Sequence, residues 1–248
     1  MEDQLDYYTF MGYSSEALTD RYRPYAGRFD AGSRVLDIGC GRGEFLGLLA
    51  ARGVAGVGVD ADASMVAECA SRGLDAHQAD GLEFMGRHRG EFDGVFASHL
   101  VEHLPPAQVD QLVHAAHAAL RDGGRLILVT PNPANLQMQL RDFWIDLQHV
   151  RLYSPEIIAW LLHGAGFTGV EEGVNPRYES HGEVNPLGLE PVPSPLPPPR
   201  PVGRERLAGV MPPSVGHRLG ELEARVNLLT RWAQSLYPPA EYWVSGIR

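Results

Sequence analysis

The sequence predicts an α/β fold in which a mostly parallel sheet carries helices on both faces. Two observations predict it. Short apolar runs alternate with stretches of helical periodicity, as repeated βαβ units require. Polar and glycine-rich motifs follow the apolar runs directly, and open sheets of this kind bind ligands outside the carboxyl ends of their strands. The chain has 248 residues, enough for one such domain with an appendage.

The order of elements starts with a helical cap over residues 1–30, where Ser14 begins a short helix and Pro24 ends it. The core follows over residues 31–175. Its predicted strands are Arg34–Ile38, Gly56–Asp60, Asp75–Gln78, Phe92–Ala97, Arg125–Val129 and Phe167–Glu172. Its predicted helices are Glu44–Arg52, Ser64–Ser71, Pro106–Arg121 and Ser154–Leu162, each with a glycine shortly after its end.

The composition changes after the core, over residues 176–239. The segment PVPSPLPPPRP (191–201) is typical of a polyproline linker or loop. Residues 215–236 then carry apolar side chains at alternating steps of four and three, which predicts an amphipathic helix that packs on the domain or on a second copy, as a homodimer. The stretch 240–248 returns as a last strand, Glu241–Ile247, so 176–239 is interpreted as an insertion before that strand.

Charge and composition exclude several classes of protein. The 31 acidic residues outnumber the 21 basic ones, so nucleic acid is not expected as the main partner. No apolar run is long enough for a transmembrane helix, and Met1 is followed by acidic residues rather than by a signal peptide. Two cysteines cannot form a disulfide framework. We therefore expect a cytoplasmic protein.

The motif VLDIGCGRG (Val35–Gly43) joins the first strand to a helix through three alternating glycines. Glu44 opens the helix, which disfavours a pyrophosphate there and suits a positively charged ligand. Asp60 ends the second strand, where an acid can accept both ribose hydroxyls. Asp80 and Gly81 follow the third strand, where a carboxylate could accept an adenine amine. In this order the motifs predict an adenosine that carries a positive group.

These motifs, together with FDGVFASHLVEHL (92–104) and LRDGGRLILVTPNP (120–133), resemble a class I S-adenosylmethionine-dependent methyltransferase. The resemblance covers about residues 30–172. It implies a Rossmann-like, mostly parallel seven-stranded sheet that ends in an antiparallel pair. It assigns Asp60 to the ribose and Asp80 with Gly81 to the adenine of the cofactor. The residues it assigns to the methionine part are Asp37, Gly39, Cys40, Gly41 and Gly43, with Ser98 and His99 at its end.

A narrower resemblance covers RDFWIDLQHVRLYSPEIIAWLLHGAGF (141–167). It is similar to a bacterial subgroup associated with lipopolysaccharide, O-antigen or other surface-glycan synthesis, although Leu147 and Gln148 replace the proline and threonine usual in the subgroup. The resemblance implies an O-methyltransferase whose acceptor is a sugar hydroxyl of a glycan, a glycolipid or a glycosylated metabolite. The alternatives are O- or N-methylation of a small biosynthetic intermediate, and a non-catalytic scaffold in a glycan-assembly complex.

Transfer to an alcohol needs a group that removes the hydroxyl proton. The candidates are Glu102 and His103, after the fourth strand, and Asp146 and His149, after the fifth. We expect His149 to be the base and Asp146, three residues earlier, to fix its tautomer. The HLVEH loop also resembles that of some ubiquinone-pathway O-methyltransferases that hold a divalent ion, so a divalent metal is a second hypothesis without assigned ligands.

Overall fold

In the computed structural model, the described residues are 14–175, 225–227, 229, 232, 236 and 238–248. They form one seven-stranded sheet with the order β3-β2-β1-β4-β5-β7-β6. The strands are β1 Arg34–Ile38, β2 Ala55–Asp60, β3 Ala76–Gln78, β4 Phe92–Ser98, β5 Leu120–Pro131, β6 Thr168–Val174 and β7 Glu241–Ile247. β7 pairs antiparallel with both β5 and β6, and every other pairing is parallel. The predicted Rossmann-like fold is confirmed.

Six helices of seven or more residues flank this sheet within 14–175. They are α1 Ser15–Ala26, α2 Glu44–Ala50, α3 Ala63–Ser71, α4 Gly81–Arg87, α5 Pro106–Ala119 and α6 Pro155–Gly164. Two buried clusters form the core. One joins α1–α3 to one face of the sheet through residues such as Phe45 and Phe96, and the other joins α4–α6 to the opposite face through residues such as Met85 and Val113. Helices thus cover both faces, as predicted.

The first helix differs from its prediction. Ser14 does cap it, accepting a hydrogen bond from the Ala17 amide, but the helix continues past Pro24 to Ala26. Pro24 removes a single backbone donor near the end of the helix, and the next two residues, Tyr25 and Ala26, are fully buried against the sheet. Packing therefore outweighs the local preference to stop.

One helix was absent from the sequence-based prediction. Helix α4, Gly81–Arg87, begins directly at the third strand end, where Asp80 accepts a hydrogen bond from the Glu83 amide as N-cap. It is short, and only Phe84 and Met85 are buried. Two buried residues give a weak helical pattern, because a period of 3.6 residues needs about three turns to be visible in a sequence.

The segment between β5 and α6 is irregular. It contains a π-helical turn, Met138–Asp142, followed by the three-residue helix Phe143–Ile145. The side chains of Asn132 and Asn135 donate hydrogen bonds to the carbonyls of Pro239 and Pro238, just before β7. The last strand and this segment are therefore joined at the carboxyl edge of the sheet.

Most of the predicted insertion, including the proline-rich stretch at 191–201, lies outside the described residues, as does the cap before residue 14. Within the predicted helix 215–236, residues 225–227, 229 and 232 are helical, and Val226 and Leu229 of its apolar seam are exposed. Among the described residues, no helix is long and apolar enough to cross a membrane.

Candidate functional site

The glycine loop after β1 lies against the end of β2. The Gly41 amide donates a hydrogen bond of 2.9 Å to Oδ2 of Asp60, and the Asp62 amide donates one of the same length to Oδ1. Each carboxylate oxygen of Asp60 thus accepts one backbone hydrogen bond and retains a second lone pair. The loop and the acid that the sequence assigned to one ligand are in direct contact.

A cavity of about 1610 Å³ opens at the carboxyl ends of the strands. Its wall contains eight of the ten residues predicted to bind the cofactor, and these are Gly39, Cys40, Gly41, Asp60, Asp80, Gly81, Ser98 and His99. Gly81 must be a glycine for close packing, because a Cβ there would lie 2.8 Å from Cγ2 of Ile38. Glu44, the acid that favoured a cationic ligand, also lies in the wall.

The other two predicted residues, Asp37 and Gly43, lie outside the wall. Gly43 has φ 81°, and a Cβ there would come within 2.9 Å of Cys69 Sγ and closer still to Leu74, so its role is to pack α2 against α3. Asp37 is buried beneath the loop. Burial, and then repulsion from Asp60 and Glu44, raise the pKa of Asp37 well above its usual value.

Helix α1 contributes wall residues that the sequence-based prediction missed. Arg21 and Tyr22 face the cavity beside Ser98 and His99. Arg21 forms an ion pair with Glu241 at the start of β7, and it also contacts Nε2 of His99. No local motif signals this arrangement, because Glu241 is 220 residues away from Arg21 in the chain. His99 itself has φ 53°, uncommon for a residue other than glycine and frequent at functional sites.

A second part of the cavity wall, called here the acceptor side, is formed by the irregular segment and by helix α5. Its polar wall residues are Gln108, Gln111, Arg141, Asp142 and Gln148. Met138 and Ile145 supply apolar surface between them. Between Met138 and His149 the wall residues recur every three or four positions, so one side of the segment faces the cavity. Trp144 is not in the wall and is 68% exposed, and Phe143 is buried against the His149 ring.

His149 lies in this wall, and a hydrogen bond fixes one of its two ring nitrogens. Its Nδ1 donates a hydrogen bond of 2.6 Å to the Phe143 carbonyl, so the proton is on Nδ1 and Nε2 carries the lone pair. The expectation that Asp146 fixes the tautomer is wrong in this respect, since the backbone carbonyl does so. Asp146 lies with Oδ2 3.6 Å from Nε2 and accepts a hydrogen bond from the Gln148 amide. It can therefore stabilise His149 once Nε2 is protonated.

His103 and Glu102 occupy different surroundings. His103 lies in the cavity wall, its ring 4.8 Å from that of His149, and burial lowers its pKa despite the nearby Glu102 carboxylate. Glu102 is fully buried, accepts a hydrogen bond from Thr130 and lies 2.9 Å from Nδ1 of His99. Its carbonyl also accepts the amides of Val150 and Arg151. Glu102 therefore holds the loops together, and neither it nor Asp146 reaches the wall.

Three of these side chains could bind a cation together. One ligand atom each from Glu102, His103 and His149 lies within 4.8 Å of the others. Nδ1 of His103 is buried and has no hydrogen-bond partner among the described residues. Imidazole and carboxylate ligands suit a divalent transition metal, so the residues present fit the metal that the sequence suggested.

Comparison with known proteins identifies the domain. A family model described as a methyltransferase domain matches residues 10–172. The ubiquinone biosynthesis O-methyltransferase of Aromatoleum aromaticum is 38% identical over 109 residues, which are 41% of this chain and 45% of that protein. An uncharacterised methyltransferase of Synechocystis is 32% identical over 153 residues, 57% of this chain and 69% of that protein. The chain thus spans about half the length of the first relative.

Solved structures share the whole fold. A SAM-dependent methyltransferase from Archaeoglobus fulgidus superposes with a TM-score of 0.72 at 25% identity, over 98% of this chain and all of that one. Phosphoethanolamine N-methyltransferase 2 of Haemonchus contortus, in complex with phosphomonomethylethanolamine and S-adenosylhomocysteine, gives a TM-score of 0.61 at 18% identity, over 97% of this chain and 56% of that one. At that identity the second likeness concerns the fold alone.

Proposed function

The chain belongs to the methyltransferase-domain family and is an S-adenosylmethionine-dependent enzyme, and from this premise we propose that it methylates a hydroxyl group with His149 as general base. The observation that carries the proposal is the hydrogen bond from Nδ1 of His149 to the Phe143 carbonyl. It leaves the basic nitrogen of a cavity-wall imidazole able to accept a proton. The O-methyltransferase named among the relatives supports oxygen as the acceptor atom.

The reaction follows from the chemistry of the cofactor. The sulfonium is a good leaving group, so the enzyme must mainly bring the acceptor oxygen in line with the methyl group and remove its proton. Nε2 of His149 takes the proton as the oxygen–carbon bond forms, and the Asp146 carboxylate 3.6 Å away stabilises the imidazolium. Glu102 holds the segment that carries His149 by accepting the amides of Val150 and Arg151.

The cavity wall supports a hydroxylated, polar acceptor. Side-chain amides of Gln108, Gln111 and Gln148 accompany the charged Arg141 and Asp142 on the acceptor side. Amide and charged groups in one wall match the many hydroxyls of a sugar, which supports a glycan, a glycolipid or a glycosylated metabolite as acceptor. The named relatives support a second candidate, the hydroxyl of a small biosynthetic intermediate.

A direct assay distinguishes the two candidate acceptors. The full chain is incubated with S-adenosylmethionine and matched panels of sugar nucleotides, simple glycosides and catechols, and S-adenosylhomocysteine release is measured. Release only with sugars supports the glycan acceptor, and release only with catechols supports the small intermediate. Methylation of amines alone would contradict both.

A divalent cation would alter the role of His149. Glu102, His103 and His149 would hold the ion, and the ion would acidify the acceptor hydroxyl. His149 would then be a ligand and not the free base. Dialysis against a chelator followed by addition of manganese or magnesium separates the two roles. Activity unaffected by the chelator supports the free base, whereas loss and recovery with the metal supports the ion.

We also propose a homodimer through the helix that the sequence predicts over residues 215–236. Exposure of Val226 and Leu229 on its predicted apolar seam supports a partner surface. Sedimentation velocity of the full chain and of a Val226→Asp, Leu229→Asp variant measures this. A dimer that dissociates in the variant is the expected result, and a monomer in both would contradict it.

A further inference from the structure

Glu241 is the first residue of β7 and lies outside the stretch that the family model matches. Its side chain is completely buried, yet it is an acid. A buried carboxylate is costly unless it is paired and hydrogen-bonded. The partners of Glu241 must therefore offset the cost of burying its charge at the end of the sheet that carries the cavity.

The partners of Glu241 come from three parts of the fold. Nε of Arg21 on α1 donates to Oε2 at 2.5 Å, and the Arg21 guanidinium also forms an ion pair with the same oxygen. Nδ2 of Asn175, after β6, donates to Oε1 at 2.7 Å, and the Tyr25 hydroxyl donates to Oε1 at 3.2 Å. Nε2 of His99, after β4, lies 3.1 Å from Oε2.

This network keeps Glu241 ionised. Burial alone would raise the pKa of the carboxyl group, but the charges and hydrogen bonds of Arg21 and His99 together outweigh burial and hold the pKa well below its usual range. A charge-assisted bond to a planar guanidinium sets the orientation of the whole group, because its five donors lie in one rigid fork. Glu241 thereby fixes the direction of the Arg21 fork.

Arg21 is one of two arginines in the described cavity wall, and the other, Arg141, lies on the acceptor segment. Arg21 lies in the wall with Gly39 and Ser98. S-adenosylmethionine carries a single anionic group, the α-carboxylate of its methionine part. Five donors are enough for one guanidinium to hold two carboxylates at once.

We propose that Glu241 is a positioning residue that orients Arg21 to bind the α-carboxylate of the cofactor. The carboxylate of the last strand acts on the cofactor through the arginine of the first described helix. The proposed contact joins the two ends of the described chain at one end of the cofactor. These ends are residues 14–26 and 241–247. The acceptor half of the cavity is not involved.

The test compares two ligands. S-adenosylhomocysteine has the α-carboxylate, and 5′-methylthioadenosine keeps the adenosine and the sulfur but lacks the amino-acid part. Calorimetry on the full chain should show that Glu241→Gln weakens S-adenosylhomocysteine by about tenfold or more, the loss of one charge-assisted bond. Binding of 5′-methylthioadenosine should stay within about twofold of the unaltered chain, because its contacts do not include Arg21.

Two variants complete the experiment. Tyr242→Phe is the matched control, because Tyr242 adjoins Glu241 on β7, lies outside the cavity wall and donates to the Tyr153 carbonyl. It should bind both ligands like the unaltered chain. Arg21→Gln should likewise bind S-adenosylhomocysteine more weakly and 5′-methylthioadenosine unchanged. The double variant Arg21→Gln, Glu241→Gln should bind S-adenosylhomocysteine no more weakly than Arg21→Gln does, because both residues act on one contact.

The proposal is overturned if Glu241→Gln weakens both ligands equally, since that result describes a structural role only, or if it weakens neither. Should Glu241→Gln not fold, Tyr25→Phe withdraws one bond from Oε1 and leaves the cavity wall intact. A lowered ratio of the two affinities in Tyr25→Phe supports the proposal, and an unchanged ratio overturns it.

Discussion

The two halves of the cavity are built differently. On the cofactor side, short turns between a strand and the following helix supply Gly41, Asp60 and Asp80. Backbone amides of the same turn or of the neighbouring turn donate to the two aspartates and hold them. On the acceptor side, an irregular segment supplies Arg141 and His149, and contacts to Pro239 and to Glu102, distant in the chain, hold it. The strand-end residues are thus held mostly by nearby turns, whereas the acceptor segment and the Arg21–Glu241 pair depend on tertiary contacts.

This difference predicts that the two functions separate by mutation. A change on the acceptor side should alter turnover and leave cofactor affinity intact, because the two walls share no hydrogen bond through His149. A change on the cofactor side should alter affinity first.

The largest effect is expected at His149. Replacement by alanine removes the lone pair of Nε2 that accepts the hydroxyl proton, and kcat should fall by ~10²–10⁴, the usual contribution of a general base. Affinity for S-adenosylhomocysteine should barely change. The measurements are steady-state rates at saturating acceptor and calorimetry with the cofactor product.

His163→Ala is the matched control, since His163 is an exposed histidine in the last turn of α6. It should retain the activity of the unaltered chain. Turnover of His149→Ala at the original rate would contradict the assignment and make His103 the leading candidate for the base.

The fold was predictable because each strand and helix carries its own signal. Apolar runs, helix-capping residues and glycines are local, and the seven-stranded sheet with its terminal antiparallel pair follows from the resemblance. Pro24 and helix α4 were the exceptions. In the first, burial of Tyr25 and Ala26 overrides a local stop signal, and in the second the helix is too short to show its period.

The grouping of residues at the site was predictable in part. Strand-end motifs predicted eight residues that the structure brings into one cavity wall, since parallel strands end at one edge of the sheet. Arg21, Glu241 and the Phe143 carbonyl were missed, because their roles depend on contacts between distant residues or on a backbone atom that has no sequence signature. Gly43 was assigned to the ligand, although its contacts show that it packs one helix on another.

The second prediction concerns Asp60, on the cofactor side. Alanine at this position should remove one or two charge-assisted hydrogen bonds to the ribose, each worth ~1.5–3 kcal/mol, so affinity should fall at least about tenfold. It also withdraws the acceptor of the Gly41 amide. At saturating cofactor the rate should recover, because His149 is untouched.

The control for Asp60 is Asp75→Ala, which removes an exposed acid just before β3. Asp75 lies at the amino end of its strand, whereas Asp60 lies at the carboxyl end of β2. Calorimetry should give the affinity of the unaltered chain for this control. Unchanged affinity in Asp60→Ala would show that the acid holds the glycine loop without binding the ribose.

The smallest effect is a pH dependence of cofactor binding. Burial and the charges of Asp60 and Glu44 raise the pKa of Asp37, so the free protein keeps the Asp37 proton to a higher pH than an ordinary aspartate does. A bound cofactor brings a sulfonium and an ammonium into the cavity wall that contains Asp60 and Glu44, which favours the ionised form of Asp37.

Binding therefore lowers the pKa of Asp37 and releases a proton. By linkage, affinity should rise with pH between the lower pKa of the complex and the higher pKa of the free protein, by at most about one decade per pH unit, and level off above that window. Calorimetry in buffers of different ionisation enthalpy counts the protons released. Asp37→Asn should abolish the slope, while His149→Ala should retain it, because His149 belongs to the other half of the cavity. An affinity independent of pH in the unaltered chain would mean that Asp37 is ionised before the cofactor arrives, and that the cation is attracted to a preformed cluster of three acids.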